Sequence, residues 1–150
     1  MRITVPPVVQ VALVGALMWL VHYFGLGPEL AFAGRGLLAR ACFLIGVLIL
    51  AAAVVAFIRQ KTTVSPMAPS EASKLVTQGL FRFSRNPMYL AMLLLLTGWA
   101  ILLANPVNAL ALIGFVWFIT EFQIKPEEEA LRDKFGEEYA EYCRKTRRWF

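Results

Sequence analysis

Three short clusters carry residue types able to do chemistry. The first is Ser84-Arg85-Asn86-Pro87-Met88-Tyr89, the second is the acidic pair Glu127-Glu128, and the third is Arg147-Arg148-Trp149, preceded by Tyr139 and Tyr142. Exposed backbone N–H groups at a helix start, helped by an arginine, hold a carboxylate. An acidic pair takes an ammonium group or ribose hydroxyls through charge-assisted hydrogen bonds. A ligand with a carboxylate, an ammonium, a ribose and a flat base would suit clusters of this kind if the fold brought them together. Each cluster also has a purely structural reading. Asn86 is a preferred N-cap, Pro87 a preferred first helical residue and Arg85 a headgroup anchor. The acidic residues after Pro126 complement a helix dipole, and a basic-aromatic run such as Arg144–Trp149 anchors to lipid.

The elements that must position these clusters are apolar. Of 150 residues 59% are hydrophobic and 17% charged, whereas soluble domains are about 45–50% apolar. The excess lies in runs, which predicts an all-α integral membrane bundle of four transmembrane helices, one domain over residues 1–150. The spans fall at about 5–24, 37–58, 87–104 and 106–124, the last two joined by a turn at Asn105-Pro106. Residues 59–86 form a long loop with Pro66, Pro69 and Gly79, and a helical turn is expected after Pro69-Ser70. Pro126 and the acidic residues behind it predict a helix start, and Leu131, Phe135, Tyr139 and Tyr142 share one face of an amphipathic helix over 126–145. That helix should lie on the membrane surface or against the span ends.

With four spans, thirteen Lys and Arg fall on the side of the termini and only Arg35 and Arg40 on the other. Positive charge is retained inside, so both termini, the 59–86 loop and the tail are expected in the cytoplasm. The net charge of +5 then faces membrane lipids, and nothing in it points to nucleic acid. His22 is the single histidine. Cys42 and Cys143 lie towards opposite membrane faces, which speaks against a disulfide, and no Cys/His cluster suggests a metal site. The small residues Gly46 and Ala53 can pack on a helix of this chain or of a partner, so a homo-oligomer is left open.

The ordered series Gly79-Leu80-Phe81-Arg82-Phe83-Ser84-Arg85-Asn86-Pro87-Met88-Tyr89, then Pro126-Glu127-Glu128, Leu131, Phe135-Gly136, Tyr139, Tyr142 and Arg147-Arg148-Trp149 resembles the isoprenylcysteine carboxyl methyltransferase and phospholipid methyltransferase superfamily. The resemblance runs from about Thr62 to the end of the chain. It implies a small integral membrane enzyme of the bacterial inner membrane that transfers methyl from S-adenosylmethionine to a lipophilic acceptor drawn from the bilayer. By the same resemblance Gly79, Arg85, Asn86, Pro87, Tyr89, Glu127 and Glu128 bind the cofactor. Arg85, Asn86, Tyr89 and Glu128 serve catalysis, and Tyr139, Tyr142, Arg147 and Arg148 contact the acceptor or close the pocket. Asn86 stands where the prenylcysteine enzymes carry histidine. It can donate and accept a hydrogen bond but does not titrate near neutrality. The residues alone also leave open a small four-span transporter, a nicotinamide-dependent reductase on a related scaffold, and a structural membrane protein without activity.

Overall fold

The computed structural model describes residues 5–59 and 74–150. Every element in it is helical: α1 (Pro7–Tyr23), α2 (Arg35–Arg59), a 3-10 turn (Gly79–Arg82), α3 (Pro87–Leu103), α4 (Asn108–Ile119), a π turn (Thr120–Ile124), α5 (Lys125–Phe135) and α6 (Glu137–Lys145). The helical turn expected after Pro69-Ser70 lies outside the described residues.

Two helices are long and apolar enough to cross a bilayer: α2, and the continuous helix from Asn108 to Phe135. α1 and α3 are apolar but have 17 residues each. At 1.5 Å per residue α2 is about 37 Å long and α3 about 25 Å. Leu13, Leu44, Leu48, Leu110, Ile113 and Trp117 all point outward and stay exposed. A belt of that kind is unfavourable in water and natural in hydrocarbon, as expected of an integral membrane protein.

The bundle centres on α3, whose Tyr89, Met92, Leu96 and Leu103 pack with Met18, Phe115, Ile119 and Ile124. Glycines let α2 come close. A Cβ on Gly46 would sit 3.1 Å from the Ala91 carbonyl oxygen, and one on Gly98 would sit 3.1 Å from that of Ala39. Gly46 therefore packs within its own chain. α1 is pinned to α3 by Trp99, whose Nε1 donates to the Gly15 carbonyl at 3.1 Å. At the α3–α4 turn the Asn105 side chain accepts from Val107 N and donates to the Leu26 carbonyl, tying this turn to the α1–α2 connection.

Two expectations need correcting. No helix starts at Pro126. α4 runs through the π turn into α5 as one 28-residue helix, and it begins at Asn108 rather than at Pro106. Proline has no N–H for the carbonyl four residues back. The chain widens instead, with Lys125 N donating to Thr120 O, and so carries Pro126 without a break. The helix expected over 126–145 is in fact two. Gly136, at φ 53° and ψ −123°, separates α5 from α6, in a region of backbone space that only glycine enters cheaply. The kink still lets Leu131, Phe135, Tyr139 and Tyr142 converge with Ala53, Val76 and Phe81 in a second apolar cluster. The amphipathic segment docks on the ends of the spans.

Candidate functional site

The site forms where the start of α3, the start of α5 and the C-terminal segment meet. α3 supplies Tyr89, one turn in from Pro87. The continuous helix supplies Gln123, Glu127 and Glu128. After α6 the chain turns extended, and Ser84 and Arg147 form an isolated parallel bridge in which Arg85 N donates to the Arg147 carbonyl at 2.9 Å. This bridge lays the last residues across the entrance of α3.

Arg85 is the hub. Its Nη2 and Nε donate to Glu128 Oε1 at 2.8 and 3.3 Å, and its Nη1 donates to the Thr146 carbonyl at 2.6 Å. Arg148 reaches Glu128 from the other side, Nη2 to Oε2 at 2.7 Å and Nε to Oε1 at 3.1 Å. Burial alone would raise the Glu128 carboxyl, but the hydrogen bonds from Arg148 and Arg85 outweigh it and hold it below the ordinary carboxylate range.

Glu127, one residue earlier, sits in a different environment. Its Oε1 accepts from the Tyr89 hydroxyl at 2.6 Å and from Gln123 Nε2. No cation lies within ion-pair distance of it among the described residues. It stands beyond the apolar part of the long helix, past Lys125. Burial pushes its carboxyl up to about 7, the bonds from Gln123 and Tyr89 offset only part of that, and the neighbouring Glu128 charge adds to it.

The expected Asn86 side-chain cap is absent. The Asn86 amide instead donates Nδ2 to the Arg148 carbonyl at 3.0 Å, and its backbone N bonds the Ser84 hydroxyl. Pro87 is buried at the first position of α3. Gly79, at φ 63°, opens the 3-10 turn and touches none of the charged residues; it shapes the backbone that presents Phe81. Tyr139 and Tyr142 are buried in the second cluster, and the Tyr142 hydroxyl donates to the Phe81 carbonyl at 2.7 Å. Burial raises both phenols, so they stay protonated at neutral pH. Arg147 enters only through its backbone, and its side chain is exposed. Arg85, Asn86, Tyr89, Glu127, Glu128 and Arg148 thus come together, while Gly79, Tyr142 and the Arg147 side chain stand apart.

Two contributors escaped sequence reasoning, Gln123 and the carbonyl of Thr146, and Ser84 was named in its cluster without a role of its own. Gln123 had a legible signal, four residues before Glu127 on the same helical face. The others act through a non-local bridge that no local pattern announces.

A groove of about 490 Å³, lined by Leu93, Ile113, Val116, Trp117 and Thr120 among others, opens on the outer face between α3 and α4. Leu93 is one turn from Tyr89, and Ile113, Val116, Thr120, Gln123 and Glu127 recur at spacings of three and four. The Thr120 hydroxyl has no partner among the described residues. A polar cluster at one end of an apolar bundle, with an outward-facing apolar groove on the same helix, is the arrangement of a helical membrane protein with a candidate site at one end.

Comparison with known proteins gives that class a family. The chain belongs to the phospholipid methyltransferase family, whose model matches residues 35–138. The matched segment holds every site residue named above except those of the tail, Tyr139, Tyr142, Thr146, Arg147 and Arg148. Over 103 residues the chain is 30% identical to protein-S-isoprenylcysteine O-methyltransferase B of Arabidopsis thaliana, covering 69% of this chain and 52% of that one. A probable protein-S-isoprenylcysteine O-methyltransferase of Oryza sativa subsp. indica is 32% identical over 128 residues, 85% of this chain and 60% of the other. An uncharacterized protein of Haemophilus influenzae is 47% identical over 62 residues, 41% of this chain and 98% of that one. The chain spans about half to three-fifths of the length of the two plant proteins. No solved structure matches it.

Proposed function

We propose that the protein transfers a methyl group from S-adenosylmethionine to a lipophilic acceptor at the cytosolic face of a membrane that it crosses four times, both termini inside. Family membership and the names of the plant relatives support methyl transfer. The observation that carries the choice of cofactor is Glu127. A half-buried carboxylate held by two neutral donors, with no cation within ion-pair distance among the described residues, lacks there the partner that burial normally demands. S-adenosylmethionine carries an ammonium and a sulfonium, so the donor set fits it.

Bound there, the cofactor supplies an electrophilic methyl group on sulfur. Glu127 holds the positive end, Tyr89 and Gln123 orient the Glu127 carboxylate, and Gly79, Asn86 and Pro87 shape the backbone around the α3 start. Arg85 and Glu128, tied to Arg148, fix the strap that keeps water from the reacting atoms. Tyr139, Tyr142, Arg147 and Arg148 belong to the closing side, through packing and the strap itself. The protein's contribution to rate is positioning. An acceptor entering sideways along the groove between α3 and α4 would keep its chain against Ile113 and Val116 and bring its polar end past Thr120 towards Tyr89. Among these residues no imidazole serves as base, which favours an acceptor already anionic at neutral pH, a carboxylate or a thiolate, over a protonated amine.

The test is calorimetric binding of S-adenosylmethionine to the purified protein in detergent and in nanodiscs, beside Glu127→Gln. Binding by the parent and loss in the folded variant is the expected result. Equal binding by both would sink the role of Glu127, and no binding by the folded parent in either medium would sink the cofactor.

A further inference from the structure

The strap has an outer side that the site does not use. Among the described residues the two most exposed large apolar side chains are Phe150 at 77% and Phe83 at 74%, more open even than the lipid-facing leucines of the spans. Phe83 lies where the strap meets the α3 entrance, and Phe150 follows Arg147 by three residues on the strap. The Ser84–Arg147 bridge and the Thr146 hydroxyl, which donates to the Arg82 carbonyl at 3.4 Å, set Arg82-Phe83 beside Thr146-Arg147. The guanidinium groups of Arg82 and Arg147 are exposed, and neither has a carboxylate within ion-pair distance among the described residues.

Five other cations of this end are paired. Arg85 and Arg148 share Glu128, Lys125 holds Glu121, Arg144 holds Glu137 and Lys145 holds Glu141. The edge formed by Arg82, Phe83 and Arg147, with Phe150 three residues further along the strap, therefore carries two cations that no carboxylate opposes among the described residues, together with two exposed aromatic rings. It lies just ahead of Pro87, where α3 enters the apolar layer.

We propose that this edge is a binding site for the phosphate of an anionic phospholipid in the same leaflet, with Arg82 and Arg147 on the headgroup and Phe83 and Phe150 seated among the upper acyl carbons. Charge complementarity selects the headgroup. The rings select a lipid over a soluble phosphate, because exposed phenylalanine gains only when a hydrocarbon edge covers it. The arginine fork suits phosphate oxygens. The site is separate from the Glu127–Glu128 cluster and rests on the membrane placement proposed above, not on methyl transfer.

The experiment reconstitutes the full chain in phosphatidylcholine vesicles and measures motionally restricted lipid by electron spin resonance, using spin-labelled phosphatidylglycerol or spin-labelled phosphatidylcholine as the probe. The parent should restrict the anionic probe in preference to the zwitterionic one. Two basic residues near a membrane surface allow a preference of up to about thirty-fold at low salt. Arg82→Gln/Arg147→Gln should abolish it, Arg82→Lys/Arg147→Lys should retain most of it, and Arg132→Gln, an exposed charge removed elsewhere on the same end, should leave it intact. Neither arginine side chain makes a hydrogen bond among the described residues, so these variants should fold like the parent.

Equal restriction of the two probes by the parent overturns the proposal. So does an unchanged preference in the glutamine pair, or an equal loss in Arg132→Gln, which would make the effect one of overall charge. Loss of the preference on adding excess inorganic phosphate at constant ionic strength would assign the edge to a soluble phosphate and reject the lipid. None of these readings requires cofactor binding, so failure here and failure of the methyltransferase reading are distinguishable.

Discussion

Glu127 and Glu128 are neighbours in the chain with opposite surroundings. Glu128 looks towards the C-terminal segment and is gripped by Arg85 and Arg148. Glu127 looks along the span towards Tyr89 and Gln123, and meets only neutral donors. The same side chain therefore stays ionised at one position and is pushed up to about 7 at the next. The difference teaches that an acidic pair need not act as a pair. One carboxylate is a fastening between three segments, and the other is left with capacity for a ligand.

The largest expected effect comes from breaking the fastening. Glu128→Ala leaves two partly buried guanidinium groups without their carboxylate, which costs about 3–5 kcal/mol. Thermal unfolding in detergent should show a large fall in midpoint. Glu127→Gln should not lower that midpoint, while weakening S-adenosylmethionine by about 10- to 100-fold, the worth of a charge-assisted contact. If the two variants behave alike in both assays, the contrast between the carboxylates is wrong.

Their pH windows should also separate. The folded-state pKa of Glu127 is raised, so its contribution to stability is full below the ordinary carboxylate value and is lost as pH rises through about 7. That of Glu128 is lowered, so its contribution is present above the ordinary value and is lost only as pH falls below it. A plot of unfolding midpoint against pH should thus decline from about pH 4.5 to pH 7 in the parent, and Glu127→Gln should flatten it. Cofactor affinity should run the other way, rising up to tenfold per unit below pH 7, because a cationic ligand needs the ionised carboxylate.

The smallest effect sharpens the comparison further. Tyr89→Phe removes a bond that lowers the Glu127 pKa. The midpoint of the affinity profile should move to higher pH, with a stability cost of about 1 kcal/mol. A midpoint that stays put would mean that the hydroxyl does not set the state of this carboxylate.

Much of the scaffold was legible in the chain. The spans expected at about 5–24, 37–58 and 87–104 fall within two residues of the ends of α1, α2 and α3, because an apolar layer demands long apolar runs and leaves little room for other structure. The face shared by Leu131, Phe135, Tyr139 and Tyr142 was legible too, although the helix that carries it was not. Phe135-Gly136 reads as a family motif, and only its backbone at φ 53° reveals the break. Pro126 misled for a related reason. Proline at a helix start and proline inside a widened π turn look alike in one dimension, and the choice depends on whether the preceding span has packing to continue.

The sequence by itself determined an all-helical apolar bundle and the residue types of the candidate site. Those properties follow from composition and from periodicities of three to four residues. The tertiary structure decided which carboxylate meets which partner. Arg148 lies 20 residues from Glu128, and Tyr89 lies 38 from Glu127. Contacts over such distances depend on how the helix ends and the final strap pack together, which no local pattern encodes.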